Sequence, residues 1–338
     1  MIADREESWS LTGCGTCQPD GVPSTAKASF DEDGFVVLPG LLADAIDDEL
    51  VEALAREFPT ADEFHRDVDP ERNARFRDEF GGITAFPCSS PTLNLFAVHE
   101  GLVALAAELL DADDLRAYSI EFWAKYTGAA EYEQPFHRDY LNHSVVVPDA
   151  DAPAGQVEFF IYLSDVDADL GPIALLPRRH AHDTPALPNW YPASDGHDDR
   201  EQPLWTSPVG RPDWYDEEHR AVGPAGTVIA YRIDTFHRGT NLERPGGARY
   251  TIHTNLRRAD HDWIGRRAWA DIAASDRDWQ QFVVHATTRQ LSLFGFPPPG
   301  HAYWNATTRG GLAQRYPGIR PERWSQRTPG DTPPTGVR

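Results

Sequence analysis

The sequence has 338 residues, of which 31 are Lys or Arg and 53 are Asp or Glu, so its formal net charge is −22. A charge of that size repels phosphate, which excludes nucleic acid and anionic membrane surfaces as expected partners. Hydrophobic residues make up 40% of the chain and aromatic residues 11%. This composition predicts a globular protein with a packed core rather than a disordered or fibrous one.

The two ends of the chain are expected to lie outside the folded part. Residues 1–28 form a predicted disordered leader without the apolar stretch of a signal peptide, and residues 328–338 form a flexible tail. Cys14 and Cys17 make a C-x-x-C motif, but without a second pair a flexible leader is a better interpretation than a redox or zinc site. Three cysteines and no apolar run of the ~18–20 residues that span a bilayer predict a cytoplasmic protein.

The first predicted elements are a strand and two helical regions. A short lead-in from Phe30 precedes a strand that ends at Pro39. Apolar residues between Leu42 and Phe58 recur at helical spacing, which predicts an amphipathic helix with one buried stripe. A second helical region is expected from about Pro91 to Leu110.

After Asp114 the apolar period changes from that of a helix to that of a strand. Residues 115–126 alternate and are rich in aromatic residues. Further strand-like runs, separated by short connections with Gly and Pro, lie at 144–147, 157–163, 173–176, 227–231 and 250–254. Consecutive strands with few helices between them predict a mainly β fold, an antiparallel jelly roll or barrel with flanking α-helices.

Two further segments complete the predicted organisation. Residues 182–223 form a long connection rich in Pro, Asp and Trp, which is typical of a lid or binding loop. Beyond Ala259 the pattern becomes helical again. We therefore expect one domain over residues 29–327, with a lid loop at 182–223 and a helical C-terminal extension at 259–327.

Candidate metal ligands are found by context, because the spacing His-x-Asp alone carries little information. The chain contains it three times, at His65 and Asp67, at His137 and Asp139, and at His197 and Asp199. About one such spacing is expected by chance in a chain of this composition. The first lies among charges and the third in an acidic turn, so both are expected at the surface. His137 instead follows a predicted strand.

The pair at His137 and Asp139 can hold a metal if a third ligand joins it. Residues i and i+2 of a strand point to the same face, so both side chains can reach one ion. His237 follows the strand at 227–231 and precedes a turn, which makes it the candidate third ligand. Two histidines and one carboxylate leave coordination positions open, the arrangement that suits non-haem Fe(II) oxygen chemistry.

Arg249 begins the next strand-like run, and two interpretations of it stay open. An inward-facing guanidinium can bind a carboxylate through two parallel hydrogen bonds, and a dicarboxylate that also chelates iron, such as 2-oxoglutarate, is the ligand it would hold. Alternatively, a buried arginine in this acidic protein pairs with an aspartate. Thr251, two residues further on, would face the same way and could donate its hydroxyl to the same carboxylate.

Taken together, these residues resemble the phytanoyl-CoA dioxygenase family over about residues 29–256. The motifs that carry the resemblance are Phe30-x-x-x-Gly34-Phe-Val-Val-Leu-Pro, His137-x-Asp139, Gly171-Pro-Ile-Ala-Leu-Leu-Pro177-x-x-His180, Gly226-Thr-Val, His237-x-Gly-Thr-Asn241 and Arg249. The resemblance implies a double-stranded β-helix (cupin-like jelly roll) that uses Fe(II), 2-oxoglutarate and O₂. By position it implies that His137, Asp139 and His237 bind iron and that Arg249 binds the distal carboxylate of 2-oxoglutarate. It also places Lys125, Phe160 and Thr240 near the cosubstrate.

Two details refine what the resemblance implies. Halogenating relatives replace the carboxylate ligand with a small residue, so the presence of Asp139 disfavours halogenation. The usual Pro-Gly-Ser-His is here Pro177-Arg-Arg-His180, which would put two guanidinium groups near the mouth of the site. His143 is interpreted as a surface residue in preference to one that supports the metal ligands.

The sequence thus predicts a dioxygenase that hydroxylates a small organic molecule and converts 2-oxoglutarate to succinate. Two alternatives stay open: a non-catalytic jelly-roll protein that binds a small molecule, and a metal hydrolase that uses the same three ligands. The substrate and the oligomeric state are not predicted.

Overall fold

The computed structural model describes residues 24–146, 152–196 and 206–325. Its strands are β1 Phe35–Leu38, β2 Ile83–Ala85, β3 Leu115–Tyr126, β4 Phe136–His137, β5 Gln156–Tyr162, β6 Ala174–Leu175, β7 Trp190–Tyr191, β8 His219–Arg220, β9 Val228–Tyr231, β10 His237–Arg238 and β11 Ala248–Arg258. Its α-helices are α1 Ser24–Asp33, α2 Asp48–Glu57, α3 Ala61–His65, α4 Pro70–Ala74, α5 Pro91–Ala97, α6 Glu100–Leu109, α7 Tyr140–His143, α8 Pro212–Asp216, α9 Trp269–Ser275, α10 Arg277–His285, α11 Thr288–Ser292 and α12 Ala306–Arg315. The features predicted at Cys14, Cys17, His197, Asp199 and 328–338 lie outside the described residues.

The strands form two antiparallel sheets. The six-stranded sheet has the order β1-β9-β5-β11-β3-β2 and the five-stranded sheet the order β7-β4-β10-β6-β8. Neighbouring strands are mostly far apart in sequence, as a double-stranded β-helix requires when the chain passes back and forth between two sheets. The predicted fold class, a mainly β jelly roll with flanking helices, is confirmed.

Alternation along the central strands assigns their side chains to two environments. In β5, Val157, Phe159 and Ile161 are fully buried in the main core, which lies between the six-stranded sheet and the helices. Phe160 and Tyr162 belong to a second core on the opposite face, together with residues of β6 and β9. The six-stranded sheet is therefore buried on both faces, and its inner face is turned toward the five-stranded sheet.

The N-terminal part differs from its prediction. The lead-in at Phe30 is the last turn of helix α1, which begins at Ser24 and so overlaps the predicted leader. Phe30 is completely buried in the main core, which fixes this helix on the fold. Gly34 ends the helix at φ +83, where a Cβ atom would lie 2.6 Å from the side chain of Arg178. The position therefore needs glycine for both its conformation and its space.

The predicted helices at 42–58 and 91–110 are present but shorter or divided. Helix α2 begins only at Asp48, because Asp47 caps it by accepting a hydrogen bond from the backbone N–H of Leu50 at 2.9 Å. The second region consists of α5 and α6. The stretch Pro91–Leu109 is long and apolar enough to cross a membrane by length and composition, but 56% of it is buried in the fold. A core helix passes the same test, so this stretch is weak evidence for a membrane span.

The strand predicted at 144–147 is not formed in the described part of that segment. Helix α7 occupies the preceding residues, and Ser144 makes only an isolated bridge to Ile264. The described parts of 182–223, in contrast, are more regular than a structureless lid. They contain β7, α8 and β8, and the two strands form the edges of the five-stranded sheet. The C-terminal helices contribute residues such as Trp279 to the main core.

Candidate metal centre and cavity

His137 and His237 lie side by side on neighbouring strands of the five-stranded sheet. They are directly opposite each other in the register of β4 and β10, and their ring centres are 4.5 Å apart. Asp139 faces both rings: its carboxylate oxygens lie 3.8 Å from His137 Nε2 and 3.4 Å from His237 Nε2. The ligand atoms of the three side chains therefore converge on one point, although His137 and His237 are 100 residues apart in sequence.

The orientation of both imidazoles is fixed in the same way. Nδ1 of His137 lies 3.0 Å from the carbonyl oxygen of Pro135, and Nδ1 of His237 lies 3.1 Å from that of Thr235. An Nδ1–H that donates to a carbonyl assigns the tautomer whose Nε2 carries the lone pair. Trp190 stacks on the His137 ring at 4.1 Å and 9°. Both Nε2 atoms are thus prepared as metal ligands.

Asp139 reaches the metal site by a different route from the one predicted. Strand β4 ends at His137, and Asp139 has helical backbone angles at the start of α7. The turn brings its carboxylate to the same side as His137, while Arg138 points away and donates hydrogen bonds to Pro185 O and Ala186 O. Burial by itself raises the pKa of Asp139, but His237 and its hydrogen bond outweigh burial and hold the pKa well below its usual range.

The three ligands fit a divalent first-row transition metal. Two imidazole nitrogens and one carboxylate oxygen are the donor set of non-haem Fe(II) sites, and they leave positions for further ligands. His137 and His237 are buried, so a metal there is screened from bulk water. A cavity of about 180 Å³ opens next to the triad.

The cavity lies between the two sheets. Its wall includes the three candidate ligands, three cationic side chains, several aromatic rings and a set of polar groups: His137, Asp139, His237, Lys125, Arg249, Arg266, Phe80, Trp123, Phe160, Trp190, Tyr231, Glu121, Gln134, Asn142, His143, Glu158, His253 and Asn255. A pocket with a metal-ligand set and convergent polar groups is the usual form of an active site.

Lys125 and Arg249 form a pair of buried cations on one wall. They are directly opposite each other in the register of β3 and β11, and each is 3% exposed. Among the described residues neither forms an ion pair with an acidic side chain, although the charge of Glu79 raises the pKa of Lys125 and partly offsets its burial. Nε and Nη1 of Arg249 are buried without a hydrogen bond. Of the two interpretations left open for Arg249, pairing with an aspartate is therefore not realised in the described part of the chain.

Burial and mutual repulsion disfavour the charged forms of Lys125 and Arg249. Burial, and then the charge of Arg249, lower the pKa of Lys125 to about 7. Burial also lowers the pKa of Arg249. Two adjacent buried cations without a counter-ion are unfavourable unless an anion binds between them. The chemistry of the pair therefore suits an anionic ligand such as a carboxylate.

The family model described as phytanoyl-CoA dioxygenase (PhyH) matches residues 30–242. The chain belongs to the phytanoyl-CoA dioxygenase family. No curated protein matches the sequence.

Three solved structures are similar to this chain at low sequence identity. The epimerase SnoN, in complex with Fe³⁺, alpha ketoglutarate and nogalamycin RO, is 20% identical, with 75% of this chain and 90% of that chain covered and a TM-score of 0.46. HygX from Streptomyces hygroscopicus, with nickel and 2-oxoglutarate, is 16% identical, with 71% and 88% covered and a TM-score of 0.47. EctD from S. alaskensis, with 2-oxoglutarate and 5-hydroxyectoine, is 16% identical, with 73% and 82% covered and a TM-score of 0.47. At these values the likeness says nothing about the substrate of this chain.

The remaining residues predicted near the cosubstrate, Phe160 and Thr240 from the resemblance and Thr251 from its spacing to Arg249, have different positions. Phe160 lines the cavity, with the guanidinium of Arg249 5.4 Å from its ring centre. Thr240 and Thr251 are buried but are not among the side chains that line the cavity. The Thr240 hydroxyl donates to Pro172 O at 2.7 Å, and that of Thr251 lies 3.4 Å from His253 Nε2.

The arginines after Pro177 are not at the cavity wall either. Arg178 lies 3.8 Å from Asp234, and Arg179 forms an ion pair of 2.5 Å with Asp33 at the end of α1. Neither lines the cavity. They connect the turn after β6 to neighbouring elements, so the expectation that they stand at the mouth of the site is wrong.

His143 is also placed differently from its prediction. It is 2% exposed, and its Nδ1 lies 2.9 Å from Oε1 of Glu158, which also accepts a hydrogen bond from the Tyr118 hydroxyl at 3.0 Å. Glu158 stands in the middle of an otherwise apolar strand, between Val157 and Phe159. That acidic residue in a buried run was a signal for a partnered charge, because a buried carboxylate needs hydrogen-bond donors.

His253 is a second buried histidine that the sequence analysis missed. Its ring stacks on Trp123 at 4.4 Å and lies 4.2 Å from the Phe160 ring, and it lines the cavity. Burial, and then the neighbouring Arg249, hold its pKa well below the usual range. It therefore presents a neutral imidazole to the cavity. Its position two residues beyond Thr251 on β11 is the signal that could have found it.

Proposed function

We propose that this chain is an Fe(II)- and 2-oxoglutarate-dependent dioxygenase that hydroxylates a small organic molecule. The observation that carries the proposal is the position of two sites in one cavity. One is a triad of two imidazoles and a carboxylate, and the other is a pair of buried cations that form no ion pair among the described residues. A chelating dicarboxylate fits both at once.

Each group has a distinct role in this proposal. His137, Asp139 and His237 hold Fe(II). Lys125 and Arg249 bind the distal carboxylate of 2-oxoglutarate and so orient the cosubstrate toward the metal. Trp190 covers one face of His137 and limits the access of water. The bound iron supplies the activation of O₂, which is coupled to decarboxylation of 2-oxoglutarate to succinate and to oxidation of the substrate.

The cation pair favours this function over the two alternatives. A metal hydrolase needs the triad and an activated water, but it has no use for two buried cations beside the metal. A protein that only binds a small molecule needs no metal ligands whose Nδ1 atoms are fixed by backbone carbonyls. A cytoplasmic location stays a prediction.

The proposal is tested by loading the full chain with Fe(II) and 2-oxoglutarate without oxygen. We expect a visible absorption band from the iron–cosubstrate complex and, in air, formation of succinate that requires both. His137→Ala and His237→Ala should abolish both signals because each removes one of three ligands.

His65→Ala is the matched control, since His65 is exposed and its Nε2 contacts only the carbonyl oxygen of Gly247 at 2.9 Å. It should behave as the wild type. Equal signals in all three variants, or activity that survives with zinc in place of iron, would overturn the proposed function.

A further inference from the structure

The inner face of the six-stranded sheet has two chemically different ends. The cation pair of Lys125 and Arg249 occupies one end. Four residues along β3, about 13 Å away at the rise of a strand, Glu121 faces the same cavity. The register places Glu121 opposite His253, and Asn255 opposite Glu158. We call the region around Glu121, Asn142 and Asn255 the polar end of the cavity.

The metal triad lies within reach of this polar end. A carboxylate oxygen of Asp139 is within 4.8 Å of ligand atoms of both His143 and Glu158. If 2-oxoglutarate extends from the metal toward Lys125 and Arg249, the polar end is the part of the cavity that is left for the substrate. This step rests on the proposed function.

Charges at the polar end are already paired with one another. Oε1 of Glu121 accepts a hydrogen bond from Arg267 at 2.9 Å and lies 3.4 Å from Nη1 of Arg266. The same nitrogen of Arg266 lies 3.0 Å from Nε2 of His143, whose Nδ1 contacts Glu158. Each carboxylate has a cationic or N–H partner, so a substrate at this end would meet charges that are already paired. At the other end, Lys125 and Arg249 form no ion pair among the described residues.

The groups at the polar end that can still form hydrogen bonds with a ligand are neutral side chains and one oxygen of a carboxylate. Within the described ranges, the carboxamides of Asn142 and Asn255 make no hydrogen bond, and Oε2 of Glu121 accepts none. The indole N–H of Trp123 is buried without an acceptor in the same ranges. Carboxamides both donate and accept, while a carboxylate oxygen only accepts. Hydroxyl groups, which also donate and accept, match this set better than ionised groups do.

We propose that Glu121, Asn142 and Asn255 recognise the hydroxyl groups of a neutral, hydroxyl-rich substrate of the polyol or sugar class. Phe80 and Ile83 line the same cavity and provide an apolar surface for the carbon skeleton. An anionic substrate would meet the carboxylates of Glu121 and Glu158, and a cationic one would meet Arg266. Either would have to break an existing ion pair to bind, at a cost that a neutral ligand avoids.

Part of this recognition site comes from outside the region that the family model matches. The match to the family model ends at residue 242. Arg266 and Arg267 lie beyond it, after β11, and both form ion pairs with Glu121. The polar end is therefore built partly by the C-terminal extension of this chain, and the family assignment alone does not define it.

The test uses the full chain loaded with Fe(II) and 2-oxoglutarate. Alditols, cyclitols and monosaccharides are each compared with carboxylate and amine analogues, for example glucose with gluconate and glucosamine. Binding is read without oxygen as a shift of the visible band, and turnover in air as succinate above the level without substrate. We expect responses from neutral polyhydroxy compounds and little or none from their charged analogues.

Substitutions then locate the recognition site. Asn255→Leu and Asn142→Leu should each weaken binding of the best neutral compound by about tenfold, since each removes hydrogen bonds to a desolvated ligand. Glu121→Gln should also weaken it, because the variant replaces a carboxylate acceptor, and Glu52→Gln, at an exposed position, is its matched control. Asn142 is exposed, so its substitution is tolerated even if Asn255→Leu does not fold.

The outcomes separate the two proposals. Failure of the iron–cosubstrate band to form would overturn the proposed function, and the substrate class would fall with it. A normal band that responds only to carboxylates or amines, or to none of the compounds, would overturn the substrate class alone. Wild-type affinity in both asparagine variants would likewise contradict the recognition site.

Discussion

Lys125 is the residue whose environment has the most direct consequence in solution. Its pKa of about 7, lowered by burial and by Arg249, means that the free site loses this proton above neutral pH. A bound carboxylate favours the ammonium form, so the complex keeps the proton. We therefore expect 2-oxoglutarate to bind more weakly as pH rises above about 7, approaching tenfold per pH unit.

This pH dependence can be measured by anaerobic calorimetry. In buffers of different ionisation enthalpy, binding of 2-oxoglutarate to the Fe(II) protein at about pH 8 should be accompanied by proton uptake. Lys125→Arg is the informative variant, because a guanidinium stays charged over this range and should remove both the uptake and the slope. A wild-type affinity that does not change between about pH 6.5 and 8.5 would contradict the assignment of Lys125.

Not every residue of the site could be predicted from its neighbours in sequence. His137, Asp139, His237 and Arg249 were predicted from short local patterns, although Asp139 faces the cavity from the start of α7 and not from a strand. His143 was wrongly predicted to lie at the surface, because its burial depends on a contact with Glu158, which lies on strand β5. Local patterns indicate which way a side chain points, but they do not show which charge will face it.

At the scale of elements, Arg138 is a principal contact that fixes the segment beginning at residue 182 to the end of strand β4, together with the Tyr140 hydroxyl, which donates to Ala186 O. Arg138 donates to Pro185 O and Ala186 O at 2.7 and 2.9 Å, and its guanidinium lies 4.3 Å from the Phe236 ring centre. The segment then continues into β7, where Trp190 stacks on His137. The residue between the two candidate metal ligands His137 and Asp139 therefore also anchors the segment that covers the site.

We expect Arg138→Met to destabilise the protein by about 2–3 kcal/mol, the usual cost of losing hydrogen bonds from a buried charged group. Hydrogen exchange should increase first in residues 182–196. Arg179→Met is the control, because its ion pair with Asp33 is largely exposed and should contribute less than about 1 kcal/mol. Equal losses of unfolding free energy in the two variants would show that Arg138 has no anchoring role.

Strand β3 shows both the strength and the limit of an alternating pattern. The predicted span 115–126 coincides with the observed strand, and Glu121, Trp123 and Lys125 share the cavity face as alternation requires. Between Ser119 and Ala117 the register shifts against β11, so Tyr118 is inserted as a bulge. Bulges change which face a side chain occupies, and none is visible in the sequence of β3 alone.

At the scale of the whole molecule, the order of strands explains why the fold class could be predicted and the cavity could not. Antiparallel strands with short connections lead to few architectures, so the jelly roll follows from the pattern. The cavity depends on which strands of the two sheets face each other: Lys125 and Arg249 come from one sheet, His137 and His237 from the other. That pairing is set by packing over the whole chain.

Because the two halves of the site belong to different sheets, ligands that join them should stabilise the whole fold. Bound Fe(II) would connect β4 and β10, and 2-oxoglutarate would link that metal to the cation pair of β3 and β11 while neutralising its charge. At about 100 times the Kd, binding contributes about 2.7 kcal/mol, which raises the Tm of a protein of this size by roughly 4 °C. Differential scanning calorimetry without oxygen measures this shift.

The shift should depend on both ligands together. Fe(II) or 2-oxoglutarate alone should raise the Tm less than the two combined, since only the pair spans the cavity. In His137→Ala, 2-oxoglutarate should lose most of its effect although Lys125 and Arg249 are intact. If 2-oxoglutarate raised the Tm equally in this variant and in the wild type, its binding would not involve the metal, and the two sheets would not be joined through it.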